Sequence, residues 1–322
     1  MPFRMIFPRW RVKPRGSSHL GLVFGPGRLA AAVVRLSGQG RPKLIGYESF
    51  TDDPSLESVQ KWLRQRGLRI HSANLLLPGD DYRMLSVETP AVPAAERAAA
   101  VRWRIKDMID FPVEEACVDC IVAPAPNGEG EGTHAWAVVA QRARVRDWMQ
   151  RARQARVDLD SIDIPEMALR NLLVMEPTPS ATALLRLSST GGALVVAWRG
   201  ELCMFRRFDD LNVAHFASAD LMTRQSLFER LALEIQRSAD AFERQFYGTA
   251  IERVWVEQSV PDMDLVQQLA PHVSLRLHAF DLAERLEIDA HAHGRGEPRH
   301  KVSLLAVGAA LRSVIVAKEA AA

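Results

Sequence analysis

Residues 19–36 read HLGLVFGPGRLAAAVVRL, and residues 183–207 read ALLRLSSTGGALVVAWRGELCMFRR. Both stretches consist of short apolar runs separated by residues that turn the chain. In the first, His19–Phe24 and Leu29–Leu36 flank Gly25-Pro26-Gly27, and a third run, Leu44–Phe50, follows Gly-Gln-Gly-Arg-Pro at 38–42. In the second, Ala183–Leu187, Ala193–Trp198 and Glu201–Arg207 are joined by Ser188-Ser189-Thr190-Gly191-Gly192 and by Arg199-Gly200. Apolar runs of this length, bounded by Gly, Pro and Ser, predict strands, and such short connections predict antiparallel pairing. The chain therefore opens each of its halves with a three-stranded meander.

Working outward, each meander leads into alternating helices and strands. In the first half the pattern predicts a helix over 55–67, a strand over 72–77 and a helix over 94–108 with Val101, Ile105 and Met108 on one stripe. Strands follow at 116–122 and 134–140, then a helix at 142–155, a strand at 157–163 and a helix at 165–174. In the second half a long helix carries Leu227, Leu231, Ile235, Phe242 and Phe246 on one face. Strands at 251–256 and 273–277 flank a helix over 262–269, and Ser303–Val316 forms a closing helix. This order predicts an α/β protein of two related domains with mixed sheets. Glu176-Pro177-Thr178-Pro179-Ser180 is the expected boundary. The expected division is a leader at 1–18, domain I at 19–176 with a small inserted subdomain at about 80–140, and domain II at 177–322.

The 322 residues carry 41 Lys plus Arg against 39 Asp plus Glu, a formal charge of +2, which excludes wholesale coating of nucleic acid. No apolar run approaches the roughly 18 residues that span a bilayer, so the chain reads as a cytoplasmic protein without a membrane anchor. Three cysteines cannot build a disulfide framework. Residues 1–18 hold Arg4, Arg9, Arg11, Lys13 and Arg15 with Phe3, Phe7 and Trp10 and no acid. That mixture suits a peripheral contact with anionic lipid, or a plain leader before the first strand.

Several constellations lead nowhere. Cys117 and Cys120, three apart in a strand, point to opposite faces, and Cys203 is too little to complete a zinc site. His291, His293 and His300 lie in a Gly-rich loop without a metal-ligand spacing. Neither a Gly-x-Ser-x-Gly elbow nor a Gly-Lys-Ser/Thr phosphate loop occurs. The expected catalytic and metal sets are empty.

The opening Leu20–Gly25, the mid-chain Leu184–Thr190 and the helix segment Glu234–Ser238 resemble the actin-like ATPase superfamily, and more narrowly its PilM-type branch of type IV pilus assembly proteins. The run Arg102–Glu115, with Phe111-Pro112 before Asp119, and the run Val157–Glu166 are similar to the same branch. Within it, the likeness is greatest to the group serving mannose-sensitive haemagglutinin (MSHA) pili. The resemblance implies a duplicated ribonuclease H-like fold, two domains around a cleft, with a nucleotide held there in active members. One hairpin turn per domain would cradle its phosphates through backbone N–H groups: Gly25 and Gly27 in the first, Ser188, Ser189, Thr190 and Gly191 in the second.

An Asp that precedes each turn in active members holds hydrated Mg²⁺. Here those positions are Val23 and Arg186. An apolar side chain cannot anchor metal-bound water, and a cation about 4 Å from another is repelled by about 4 kcal/mol at an effective dielectric of 20. Pro26 removes one N–H from the first turn. The family's Gly-rich adenosine contact is replaced by Glu257-Gln258-Ser259-Val260-Pro261. The expectation is a pseudo-ATPase without ATP or Mg²⁺ as a working cofactor; Arg186 keeps a guanidinium fork of the kind that pairs with phosphate directly.

The partner implied by the resemblance is a PilN-type inner-membrane protein, whose N-terminal cytoplasmic peptide would dock near Trp103, Phe111 and Pro112 and recruit the chain to the inner membrane. Two other readings stay open. One is an active ATPase or kinase using Asp209, Asp210, Asp158, Asp160 or Asp163. The other is the cytoplasmic domain of a GspL-type secretion protein, which would continue into a membrane helix where this chain ends at Ala322.

Overall fold

A computed structural model describes residues 17–36, 41–126, 131–176, 178–260, 262–292 and 302–319. The basic residues of the leader, Pro261, and His293 and His300 lie outside the described residues. The elements run β1 (Ser18–Gly25), β2 (Arg28–Arg35), β3 (Lys43–Phe50), α1 (Leu56–Gln65), β4 (Ser72–Leu76), β5 (Tyr82–Glu88), α2 (Arg97–Arg104), β6 (Ala116–Pro124), β7 (Glu131–Gln141), α3 (Arg142–Gln154), β8 (Leu159–Asp163) and α4 (Pro165–Leu173). They continue with β9 (Ala181–Ser188), β10 (Gly191–Trp198), β11 (Glu201–Phe208), α5 (Val213–Ser218), α6 (Leu221–Gln245), β12 (Ile251–Val256), α7 (Leu265–Leu269), β13 (Leu277–Ala279), β14 (Glu287–Ile288) and α8 (Leu304–Glu319).

The two expected meanders form, and each seeds a sheet of the same design. In the first unit the order is β14-β3-β2-β1-β4-β8, and in the second it is β11-β10-β9-β12-β13. In both, the first strand pairs antiparallel with the second and parallel with the fourth. The parallel pair needs a crossover helix. That role falls to α1 in the first unit and to the 25-residue α6 in the second. Asp220 starts α6 by accepting from the Thr223 amide, and Leu227, Leu231, Ile235 and Phe242 bury the inner face. A separate three-stranded sheet, β5-β7-β6, carries α2 on the face formed by Val87, Ala135, Ala137 and Val139.

The first unit contains the described residues up to 122, those of 133–172, and those from 283 onward; the second contains those of 123–132 and 173–282. This corrects the expected boundary, which left everything after 177 in domain II. β14 pairs with the outer strand β3, and α8 packs on β1, β2 and β4. The reason is steric. A Cβ at Gly21 would overlap the Ala306 carbonyl oxygen and stand 2.5 Å from the Ala310 amide nitrogen. A Cβ at Gly308 would likewise overlap the Ala168 carbonyl oxygen on α4.

Polar groups fix the same helix. The Asn74 amide donates to the Ala309 carbonyl at 3.0 Å, and the Asn171 amide to the Gly308 carbonyl at 3.0 Å. Arg312 pairs with the buried Asp163. The Asn74 side-chain oxygen also accepts from the Ser161 hydroxyl at 2.7 Å, tying β8 to β4 beneath α8.

Smaller differences also have local causes. Ser17 and Ser18 are buried and Ser18 opens β1, so the leader ends before 17. α2 starts at Arg97, after a turn in which the Glu96 amide reaches the Pro93 carbonyl, and ends at Arg104. Met108 therefore leaves the stripe of Val101 and Ile105 and is 46% exposed, not core. Asp264 caps α7 by accepting from the Val266 and Gln267 amides, which moves the start of that helix from 262 to Leu265. The last strand of the second sheet is Leu277–Ala279, not 273–277, because those residues pair with Val254–Val256.

Gly308→Ala should destabilise the protein by about 3 kcal/mol through overpacking, despite a helix propensity that favours Ala over Gly by about 1 kcal/mol. Thermal melting should show a fall of roughly 6–12 °C. Gly79→Ala, with open space around the new Cβ, is the control and should change stability by less than about 0.5 kcal/mol.

Candidate functional site

Each unit presents one tight hairpin at the position expected to cradle phosphate. In the first, Gly25 pairs with Arg28, leaving Pro26 and Gly27 as the turn. Gly27 has φ +64°, with nothing within 4 Å of a Cβ built there. Its glycine is needed for that left-handed backbone, not for the approach of another group. Val23 lies between Ala30 and Leu76 in the sheet. Beside it the Phe24 ring meets Trp148 at 4.8 Å, and the Trp148 indole N–H donates to Asp81 at 2.7 Å. The base of this hairpin is thus aromatic packing without a carboxylate at residue 23.

In the second hairpin Ser188 pairs with Gly191, so Ser189 and Thr190 form the turn. The Ser188 hydroxyl donates to the Gly191 carbonyl at 2.8 Å and accepts from the Thr190 amide at 3.3 Å. Its polar capacity is spent closing its own turn. Gly191 has φ +143°, and a Cβ there would stand 2.8 Å from the Phe208 carbonyl oxygen, so this glycine serves the contact of β10 with β11.

Arg186 does not stand alone at the position of the missing acid. Its Nε lies 3.2 Å from the Glu257 carboxylate, and the two side chains are only 17% and 18% exposed. The contact is ionic and lacks hydrogen-bond geometry at those two atoms. β9 and β12 are parallel neighbours, and the Glu257 amide extends their ladder to the Leu185 carbonyl at 2.9 Å. Two substitutions in the expected nucleotide site therefore meet each other. At 3.2 Å the gross attraction is about 5 kcal/mol at an effective dielectric of 20, most of it offset by desolvation. The pair also cancels the lone cation that would otherwise attract a phosphate.

The neighbouring residues are committed too. The Gln258 side chain accepts from the Leu265 amide at 2.9 Å and donates to Asp264, while Val260 enters the core. A glycine-rich turn after β12 would lose these contacts.

Two of the acids considered for an enzyme, Asp163 and Asp210, have structural partners of their own. Asp163 accepts from the Ile164 amide at 2.8 Å and pairs with Arg312. Asp210 is exposed and paired with Arg230, and its carbonyl accepts from the His215 ring at 2.8 Å. Asp158 and Asp209 are exposed.

On the small sheet, α2 holds Trp103 outward, 68% exposed, while the arginines on either side fasten the helix down. Arg102 donates to the Ala116 carbonyl at 3.2 Å and Arg104 to the Glu88 carbonyl at 3.1 Å. Phe111 is half-buried against the core of this sheet and Pro112 is exposed. The structure thus brings Trp103, Phe111 and Pro112 onto one small subdomain. Met108 joins them as an exposed apolar side chain that the helical wheel had assigned to the core.

Cys117 is buried and Cys120 half-buried, neither is in a disulfide, and burial pushes the Cys117 thiol pKa up, which disfavours the thiolate. Among the described residues no group of His, Cys, Asp and Glu can hold a metal ion, and no helix is long and apolar enough to cross a membrane.

No protein-family profile and no curated protein sequence matches the chain. Solved structures do. The PilM-PilN type IV pilus biogenesis complex matches with a TM-score of 0.69 and 19% identity, over 94% of this chain and 99% of the other. The cytoplasmic domain of EpsL, an inner-membrane component of the type II secretion system of Vibrio cholerae, matches at 0.51 and 15% identity, over 84% and 92%. The chain has the actin-like ATPase fold, in the form found in the PilM-PilN complex.

A double-mutant cycle on Arg186→Gln and Glu257→Gln, read by denaturant unfolding, should give a coupling energy of about 1–2 kcal/mol. Additive effects would mean that the two side chains do not hold each other.

Proposed function

We propose that this chain is an adaptor of a type IV pilus assembly machine, corresponding to MshI of MSHA pili, and that it works by docking partners without turning over nucleotide. The observation that carries the reading is the match to the PilM-PilN complex over 99% of the matched chain's length. The Arg186–Glu257 pair supports the absence of turnover, since it fills with a neutralised ion pair a position where an ATPase needs a carboxylate and its metal.

In this reading the chain resides in the cytoplasm and is held at the inner membrane by a PilN-type protein. The partner's N-terminal cytoplasmic peptide docks on the small subdomain, with Trp103 as an exposed aromatic anchor beside Phe111 and Pro112. The basic, aromatic leader at 1–18 would add a contact with anionic lipid. A role as a type II secretion component is the second reading, supported by the likeness to the EpsL domain.

The two readings part on the partner. A labelled peptide from the cytoplasmic segment of the PilN-type protein of the same pilus should bind, and Trp103→Ala should weaken it about tenfold or more, the loss of about 1.4 kcal/mol. Unchanged affinity would remove Trp103 from the site, and failure of the wild type to bind would favour the secretion reading.

A further inference from the structure

The second unit carries a surface that the docking described above does not use. β11 is the outer strand of its sheet, and among the described residues no strand pairs with its far edge. An open edge is a row of backbone donors and acceptors at strand spacing. The C-terminal half of β11 runs beside α6, whose opposite face is sealed into the core. Between them lies a cavity of about 410 Å³ whose walls include Arg206, Arg207, Phe208, Arg230, Leu233 and Arg237. Leu233 is 49% exposed, and Met222, about three helical turns earlier on the same side, is 85% exposed.

The groove is lined by four arginines against Asp209, Asp210 and Glu234, a net charge of +1. Glu234 is shared, lying 2.9 Å from Arg206 and 3.1 Å from Arg237, so one carboxylate faces two guanidinium groups. Arg230 is paired with Asp210. A guanidinium offers five N–H donors, and one carboxylate can occupy only a fork of two. Arg206, Arg230 and Arg237 remain 42%, 52% and 57% exposed and keep donors toward solvent.

We propose that this groove docks an extended acidic segment of a partner protein, laid alongside β11 as an added strand. Backbone hydrogen bonds to the open edge would hold the segment, and alternate carboxylates on its α6-facing side would engage the arginine forks. A nucleic acid fits the same arginines less well. Asp209, Asp210 and Glu234 are interspersed among them and would repel a continuous polyanion, and a phosphodiester backbone cannot pair with a strand edge. The surface belongs to the second unit and Trp103 to the first, so the proposal stands whether or not the PilN-type reading holds.

The probe is a fluorescein-labelled peptide alternating Glu and Val, capped at both ends and eight residues long to match β11. Fluorescence anisotropy on the full chain should show saturable binding that weakens with salt. Arg206→Glu combined with Arg237→Glu should lower affinity about tenfold or more. Hydrogen–deuterium exchange with bound peptide should slow across 201–208. If the double variant melts far below the wild type, Arg237→Ala on the exposed helix face is read instead, with about a threefold loss expected. Absence of saturable binding, equal affinity for the variants, protection confined to other segments, or tighter binding of oligothymidylate of the same length would each overturn the proposal.

Discussion

Helix α8 lies on β1 with no side chain between them at Gly21, and on α4 with none between them at Gly308. Backbone meets backbone at both crossings, and dispersion falls off steeply with any gap, so the contact is all or none. Asn74, Asn171 and the Asp163–Arg312 pair then hold the helix by groups that belong to β4, α4 and β8. One element thereby joins the parallel half of the first sheet to the helix that leads out of the first unit. β1, β2 and β4 pack directly on this helix, and the hairpin at Gly25–Gly27 joins two of them.

The second unit repeats the sheet design but spends its polar residues differently. Where the resemblance implies an acid before the second hairpin turn, this chain sets Arg186 against Glu257. Gln258 caps α7, Ser188 closes its own turn, and Val23 is surrounded by strand neighbours in the other hairpin. None of these is merely a lost residue. Arg186, Glu257, Gln258 and Ser188 each have a structural partner, so replacing Arg186 alone would leave Glu257 without its counter-charge. What remains available to other molecules is surface: Trp103 and Met108 on the small subdomain, and the arginine groove beside β11.

Much of the fold was legible in the sequence because its signals were local. The two meanders announce themselves through Gly-Pro-Gly, Ser-Ser-Thr-Gly-Gly and Arg-Gly turns between apolar runs, and the α6 stripe through its regular spacing. The allegiance of α8 was not legible, since a helix of small apolar residues fits either sheet until the Gly21 contact is known. β5 escaped because Tyr82–Glu88 mixes apolar and polar residues on both faces. Met108 was misplaced because the wheel was carried past Arg104, where the helix stops. In the site, the absence of a carboxylate at 23 and 186 is plain from the sequence. The pairing of Arg186 with Glu257 was not, because β9 and β12 become neighbours only after α6 has crossed between them.

We propose that the expected nucleotide positions serve as structural contacts and hold no nucleotide. Isothermal titration of Mg²⁺-ATP into the full chain tests it most directly. The account predicts no saturable heat up to millimolar nucleotide. A dissociation constant in the micromolar range, which corresponds to about −8 kcal/mol, would contradict it.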